Sequence, residues 1–291
     1  MLALGVLLAL AVLCGRGSAA RAARPLRSAA DGTANGAPPA PATPPAELVA
    51  LEQKMATLPV VSERYTQLTH LTVTTTTSTG APARPRNVNA AISGLASLTP
   101  LQGEARLSGR PWRIGIGPRT YDYSASAGRM DGGRPWIRQQ DESAASLFPY
   151  HAGAGSRYEI DAGGKGPYAG LLDLLWTAVG EVTRSEATID GRHVIGFTVA
   201  VDRLALIKSL RPSVLERGGP MQTLTVYLTE SGLPLRVIES TATEYLVSTT
   251  TTDILAVDPP VLVAAPSARL TIGLEQLRRL RAAHERRAAH G

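Results

Sequence analysis

A chain of 291 residues, 44% apolar but only 4% aromatic, has aliphatic side chains for one sizeable core, and its charge of +6 and pI near 9.8 raise a nucleic-acid reading. The position of the charge removes that reading. Residues 1–45 carry Arg16, Arg21, Arg24 and Arg27 against Asp31, and residues 267–291 carry six arginines against Glu275 and Glu285, so residues 46–266 sum to −1 and give no footprint for DNA or RNA. The lone cysteine, Cys14, excludes an intramolecular disulfide and any cysteine-built metal or redox centre.

The chain opens on the apolar run Leu2 to Leu13. This is shorter than the roughly 20 residues that span a bilayer as a helix, but it fits the h-region of a secretory signal over residues 1–20, and export is expected. Two readings of its end stand. Cys14 is placed where an envelope lipoprotein is acylated, although Leu13 departs from the small residue that such a site prefers; Ser18-Ala19-Ala20 suits ordinary cleavage. The protein is then either anchored on the outer face of the cell membrane or secreted. No basic residue precedes the run, which suggests a start upstream of Met1. Residues 21–45, rich in Ala and Pro, cannot bury enough apolar surface to offset ordering and read as a disordered tether.

From Ala46 to Leu58, Leu48, Leu51, Met55 and Leu58 recur at helical spacing. Strands follow from Glu63, through Thr72 to Thr79, Val88 to Leu98, Gly103 to Ser108, Trp112 to Ile116 and Arg119 to Ser124. Asp131-Gly132-Gly133 turns the chain into a strand at Trp136. Pro167 to Val179 reads as a broadly apolar helix. Asp190-Gly191 joins the strands 181–189 and 193–201, and Arg203 to Glu216 reads as a helix behind Asp202. A hairpin (Met221 to Thr229, Leu233 to Ser240) and a long Thr-rich strand ending at Asp258 close the series. The clusters Thr74 to Thr77 and Thr249 to Thr252 read as solvent faces of strands. Residues 267–291 are an appended basic helix or solvated tail, its Leu270, Leu274 and Leu277 on one side.

Helices interspersed among meandering strands make an α+β domain over residues 46–266. The helix and strand order, the Tyr121 to Trp136 region, the strand-Asp-Gly-strand element and the Thr225-Val226-Tyr227-Leu228 to Gly232-Leu233-Pro234 hairpin resemble the LolA/LppX superfamily, and most nearly the LppX and LprG group of actinobacterial envelope lipoproteins. The resemblance implies a strongly curved antiparallel sheet, an open half-barrel, with helices covering the concave face and acyl chains held between. The expected function is non-enzymatic lipid binding or transport, with an acylated lipid or other hydrophobic ligand as partner. Basic tails would favour an anionic membrane surface. The alternatives are a sensor of the same fold, like RseB, acting on a membrane protein partner, and a structural envelope protein with a filled interior.

The candidate cavity lining is Ile92, Leu95, Leu107, Ile114, Ile116, Trp136, Leu171, Leu175, Phe197, Val199, Leu206 and Leu224, with the Ser143 to Gly166 loop as a gate. Each of these is equally at home in an ordinary core. No cofactor and no metal are expected, and no catalytic residue is assigned. His70, His151, His193, His284 and His290 are scattered, Gly163-Gly164-Lys165-Gly166 lacks the remainder of a phosphate loop, and no nucleophile, base and orienting group can be named together.

Overall fold

In a computed structural model of the chain, the described residues are 43–73, 86–139, 144–150, 168–201, 222–242 and 246–290. The first helix, α1 (Ala46–Ala56), buries Leu48, Leu51 and Met55, the spacing of the sequence, and ends two residues before Leu58. Five antiparallel strands follow: β1 (Ser62–Val73), β2 (Arg86–Leu98), β3 (Leu101–Leu107), β4 (Arg110–Ile116) and β5 (Arg119–Tyr123).

Between β5 and β6 (Trp136–Gln139) lies a short helix, α2 (Ala125–Met130), where the sequence reading has only a turn. Ser124 starts it by accepting a hydrogen bond from the Ala127 N–H, and Gly132 and Gly133 at φ 69° and 120° make the turn that follows. A 3₁₀ turn (Ala144–Leu147) precedes α3 (Ala169–Trp176), which is shorter than its apolar run because Ala178 already belongs to the next strand. β7 (Ala178–Ile189) and β8 (Arg192–Val201) meet at Asp190 and Gly191, both at positive φ (50° and 73°), the combination a two-residue type I′ hairpin requires. The sequence-predicted helix 203–216 lies outside the described residues.

β9 (Gln222–Leu228), β10 (Pro234–Ala242) and β11 (Leu246–Val257) complete the long hairpin series. The sheet does not stop at Pro266: β12 (Thr271–Gly273) adds to it and runs into a 17-residue helix, α4 (Leu274–His290). Among the described residues one sheet of twelve strands results, in the order β12-β6-β5-β4-β3-β2-β1-β11-β10-β9-β8-β7. All its pairings are antiparallel except β12 with β6. The first and last strands of that order do not meet, so the sheet is open, and the fold is α+β.

The register defines one continuous face. A row across it reads Leu107, Ile92, Gln67, Thr252, Val237, Val226, Phe197, and the next reads Ala90, Thr69, Thr250, Glu239, Leu224, Val199. Helices α1 and α3 pack on this face: their buried leucines share one apolar cluster with Phe197, Val199, Leu224, Val226, Leu228 and Val237. Six of the eight residues of α3 are buried, so that helix is enclosed on most of its circumference.

The opposite face is crossed by the chain after β11. Asp258, at φ 52°, accepts hydrogen bonds from the Val61 and Ser62 amides (2.9 and 3.2 Å), and the Ser62 hydroxyl donates to Pro259 O at 2.7 Å. Gln102, on the opposite face from Gly103, then donates to Val261 O (2.7 Å) and accepts from Val263 N (3.4 Å). This strap carries the chain from the middle of the sheet to its edge, where Ala127, Ile272 and Leu277 form a second apolar cluster with Met130, Ile137 and Leu280 against it.

Candidate functional site

The covered face changes character across its width. At the β8–β10 end it is apolar, with Phe197, Val199, Leu224, Val226 and Val237 all at 1% exposure or less. Here the alternation of each strand places every second residue under α1 and α3. Five of the predicted lining residues, Leu171, Leu175, Phe197, Val199 and Leu224, share this cluster. Ile92 is buried and Leu107 half-buried on the same face, at the far end of the row that holds Phe197.

Four others lie on the opposite face. Gly103 pairs with Gly115, and added β-carbons at both would run into the 3₁₀ turn, so Gly115 faces the covered side and its neighbours Ile114 and Ile116 face away. Leu95 pairs with Arg64 and Glu104 on that same outer side. Trp136 pairs with Tyr123, the two rings meeting edge to face at 5.5 Å, while its neighbour Ile137 joins the second cluster. Reading β2 and β4 for apolar residues without separating odd from even positions gathers both faces into one list. Leu206 and Cys14 lie outside the described residues, as do residues 151–166 of the predicted gate.

In the middle of the covered face is a polar seam that sequence reasoning missed. Gln67 Nε2 donates to Thr252 Oγ1 at 3.2 Å, Thr69 and Thr250 share a hydroxyl hydrogen bond at 3.1 Å, and Gln222 Nε2 donates to Glu239 Oε2 at 2.7 Å. The Tyr150 hydroxyl donates to Thr252 Oγ1 (3.0 Å) or Glu239 Oε1 (3.3 Å) and links these pairs, and burial, then the Glu239 charge, push its pKa well above the usual phenol value. Thr250 and Thr252 are buried, at 6% and 0% exposure, which corrects the reading of Thr249 to Thr252 as a solvent face: only alternate members of the cluster point outward.

Glu63 is the extreme member of the seam. It is fully buried on β1, and neither carboxylate oxygen has a hydrogen-bond partner. Burial pushes its pKa up to about 8, against the smaller opposing influence of the Tyr168 hydroxyl, which is itself buried and not in hydrogen-bonding geometry with any group. A carboxyl in that position prefers its neutral form because the ion has exchanged water for nothing.

Beyond the seam the face turns to glycine. An added β-carbon at Gly94 would come within 2.1–2.4 Å of the Tyr65 ring and hydroxyl, and at Gly103 and Gly115 within 2.7–3.1 Å of Leu147, Ala144 or the neighbouring strand. The missing side chains let Tyr65 lie flat on the sheet and donate its hydroxyl to Leu147 O at 2.7 Å, so the 3₁₀ turn seats directly on the strands. At the next strands the Arg113 guanidinium bonds Asp122 at 2.6 Å, and Gln139 bonds the other oxygen of the same carboxylate.

The covered face therefore offers an apolar floor, a hydrogen-bonding seam with spare acceptors, and a glycine-floored region already filled. No group of Cys, His, Asp and Glu arranged to hold a metal ion occurs among the described residues.

No family model matches the chain, and no curated protein is similar to it. Among solved structures it is similar to the lipoprotein LppX of Mycobacterium tuberculosis, with 14% identity, a TM-score of 0.41, and coverage of 75% of this chain and 98% of that one. It is similar also to LprF of Mycobacterium bovis (11% identity, TM-score 0.39, 77% and 99% covered). A LolA superfamily protein of Nitrosomonas europaea follows at 11% identity, TM-score 0.27, with 73% and 94% covered. At these values the likeness decides nothing about ligand or activity.

Proposed function

We propose that this chain is an exported, non-enzymatic envelope protein that holds an acyl-bearing lipid between α1, α3 and the apolar end of the covered face. The observation that carries the reading is the assembly of Leu171, Leu175, Phe197, Val199 and Leu224 on one side of a sheet that never closes. Twelve strands span about 50 Å, whereas α1 and α3 are each only about 10 Å across. Affinity on such a surface comes from area: each buried methylene is worth roughly 0.8 kcal/mol, so a chain of a dozen carbons supplies most of a useful binding energy without a reactive group.

Release would require α1 to lift. Its polar ties are Arg184 to Glu47 at 2.7 Å and Lys54 Nζ to Glu230 O at 2.7 Å, both at the surface and both readily exchanged for water. Acylation of Cys14, or cleavage near Ala20, would decide whether the protein is tethered or free.

The test is organic extraction of the full-length protein purified from its native envelope, followed by mass spectrometry. Acylated lipid in near-stoichiometric amount is the expected result. Repeated recovery of lipid-free protein that also fails to take up a fluorescent fatty acid overturns the proposal and leaves a scaffold with a filled interior.

A further inference from the structure

The arginines of this chain are not spread evenly over the sheet. Residues 101–139, which build β3 to β6 and α2, hold seven arginines against Glu104, Asp122 and Asp131, and residues 267–290 at the same edge hold six against Glu275 and Glu285. The strands at the other end, β7 to β11, hold Glu181, Glu186, Glu239 and Asp253 against Arg184, Arg192 and Arg236, with Asp190 and Glu230 in the turns after β7 and β9. One end of the sheet is strongly basic and the other carries no such excess.

Helix α4 shows how the basic end is built. Leu277 is 2% exposed and packs on Ala127 and Ile272, so the leucine side of the helix is used inside the protein. At 100° per residue, Arg279 and Arg286 stand about 160–180° from Leu277, and both are exposed; Arg287 is exposed on the flank, about 80° from Arg279 and from Leu277. Arg129 is exposed on α2, one of the three elements against which α4 packs; Arg138 on β6 is exposed too, but on the face away from Ile137 and α4. None of Arg129, Arg279, Arg286 and Arg287 forms an ion pair with another described residue, in contrast to Arg106, Arg113, Arg134 and Arg278, which are paired with Glu104, Asp122, Asp131 and Glu275.

We infer that the α4 edge is a docking surface for an anionic lipid bilayer, engaged through arginine and phosphate. Guanidinium forks suit phosphate oxygens, and Leu277, buried against Ala127 and Ile272, is not free to enter acyl chains. The opposite end offers no such excess of arginine, so the sheet would approach the membrane edge first, β12 and α4 leading. Attachment of this kind is reversible and sensitive to salt, unlike insertion.

The experiment is sedimentation of the full chain with vesicles of phosphatidylcholine alone and with 30% phosphatidylglycerol, at low and at physiological salt. Any partition of the apolar residues 2–13 occurs with both vesicle types and cancels in their ratio. The expected result is a preference for the anionic vesicles that falls as salt rises. The preference should drop on the order of a hundredfold in the triple variant Arg279→Gln, Arg286→Gln, Arg287→Gln, about fivefold per charge. The variant Arg64→Gln, Arg86→Gln, Arg192→Gln removes the same net charge from other exposed sites and should keep most of the preference. Equal binding to both vesicle types, equal loss in the two triple variants, or displacement from vesicles by a DNA duplex at a lower phosphate concentration than by soluble phosphatidylglycerol each overturns the inference.

Discussion

Glu63 donates nothing to the fold when ionised, because both its oxygens are sealed from water without a partner. Its carboxyl titrates near 4.5 in the unfolded chain and near 8 in the folded one, so across that window folding takes up a proton and stability falls as pH rises. The melting temperature of the native protein should therefore decline from pH 5 to pH 8 relative to Glu63→Gln, and the two curves should converge near pH 4.5. Gly94→Ala tests the glycine-floored region: the new methyl meets the Tyr65 ring, and a loss of about 1–3 kcal/mol in denaturant unfolding is expected, smaller in a Tyr65→Leu background. These residues were legible only through strict alternation. Tyr65, Gln67 and Leu71 form one set on β1 and Leu68, 42% exposed, belongs to the other; grouping Tyr65 with Leu68 hides the inward run that begins at Glu63. A lone buried glutamate gives no sequence signal, because strand ends carry glutamate in solvent far more often.

At the scale of elements, the strap and α4 are the parts whose worth can be measured separately. Asp258→Ala removes the acceptor of two amides that open β1 and should cost about 1–2 kcal/mol in unfolding free energy, with little change in the circular dichroism of the folded state. Leu277→Asp places a charge between Ala127 and Ile272 and should undock α4. Trypsin would then cut at Arg278 to Arg287 while the strands β1 to β11 resist, a pattern visible by mass spectrometry. Most strands were readable because their Gly, Pro and Asp-Gly boundaries are strong, and α1 because its leucines repeat at helical spacing. The short α2 was not, since six residues with a single buried alanine carry too little pattern. The end of α3 was misplaced because an apolar run does not say where a helix stops and a strand begins.

The whole molecule explains a charge pattern that chain-order bookkeeping conceals. Residues 46–266 sum to −1, which reads as neutral, yet the topology gathers the arginine-rich strands at one end of the sheet. Sequence distance and sheet distance coincide within a hairpin and part company between β6 and β11, where the order folds back through β1. The same folding-back brings Ile92 and Leu107 onto one row with Phe197, which no local pattern could have announced.

The parallel pairing of β12 with β6 has a further consequence for self-association. A sheet can recruit another molecule's backbone only where a row of amides and carbonyls stands open, and here that end is occupied by three residues that run at once into a helix. Among the described strands β7 is left as the one from which the sheet can lengthen, and its irregular register at Val179 and Thr183 and its Glu181, Arg184 and Glu186 side chains discourage a partner. Fibre growth by edge addition would have to be one-ended, and removing the charges of β7 should be the shortest route to it.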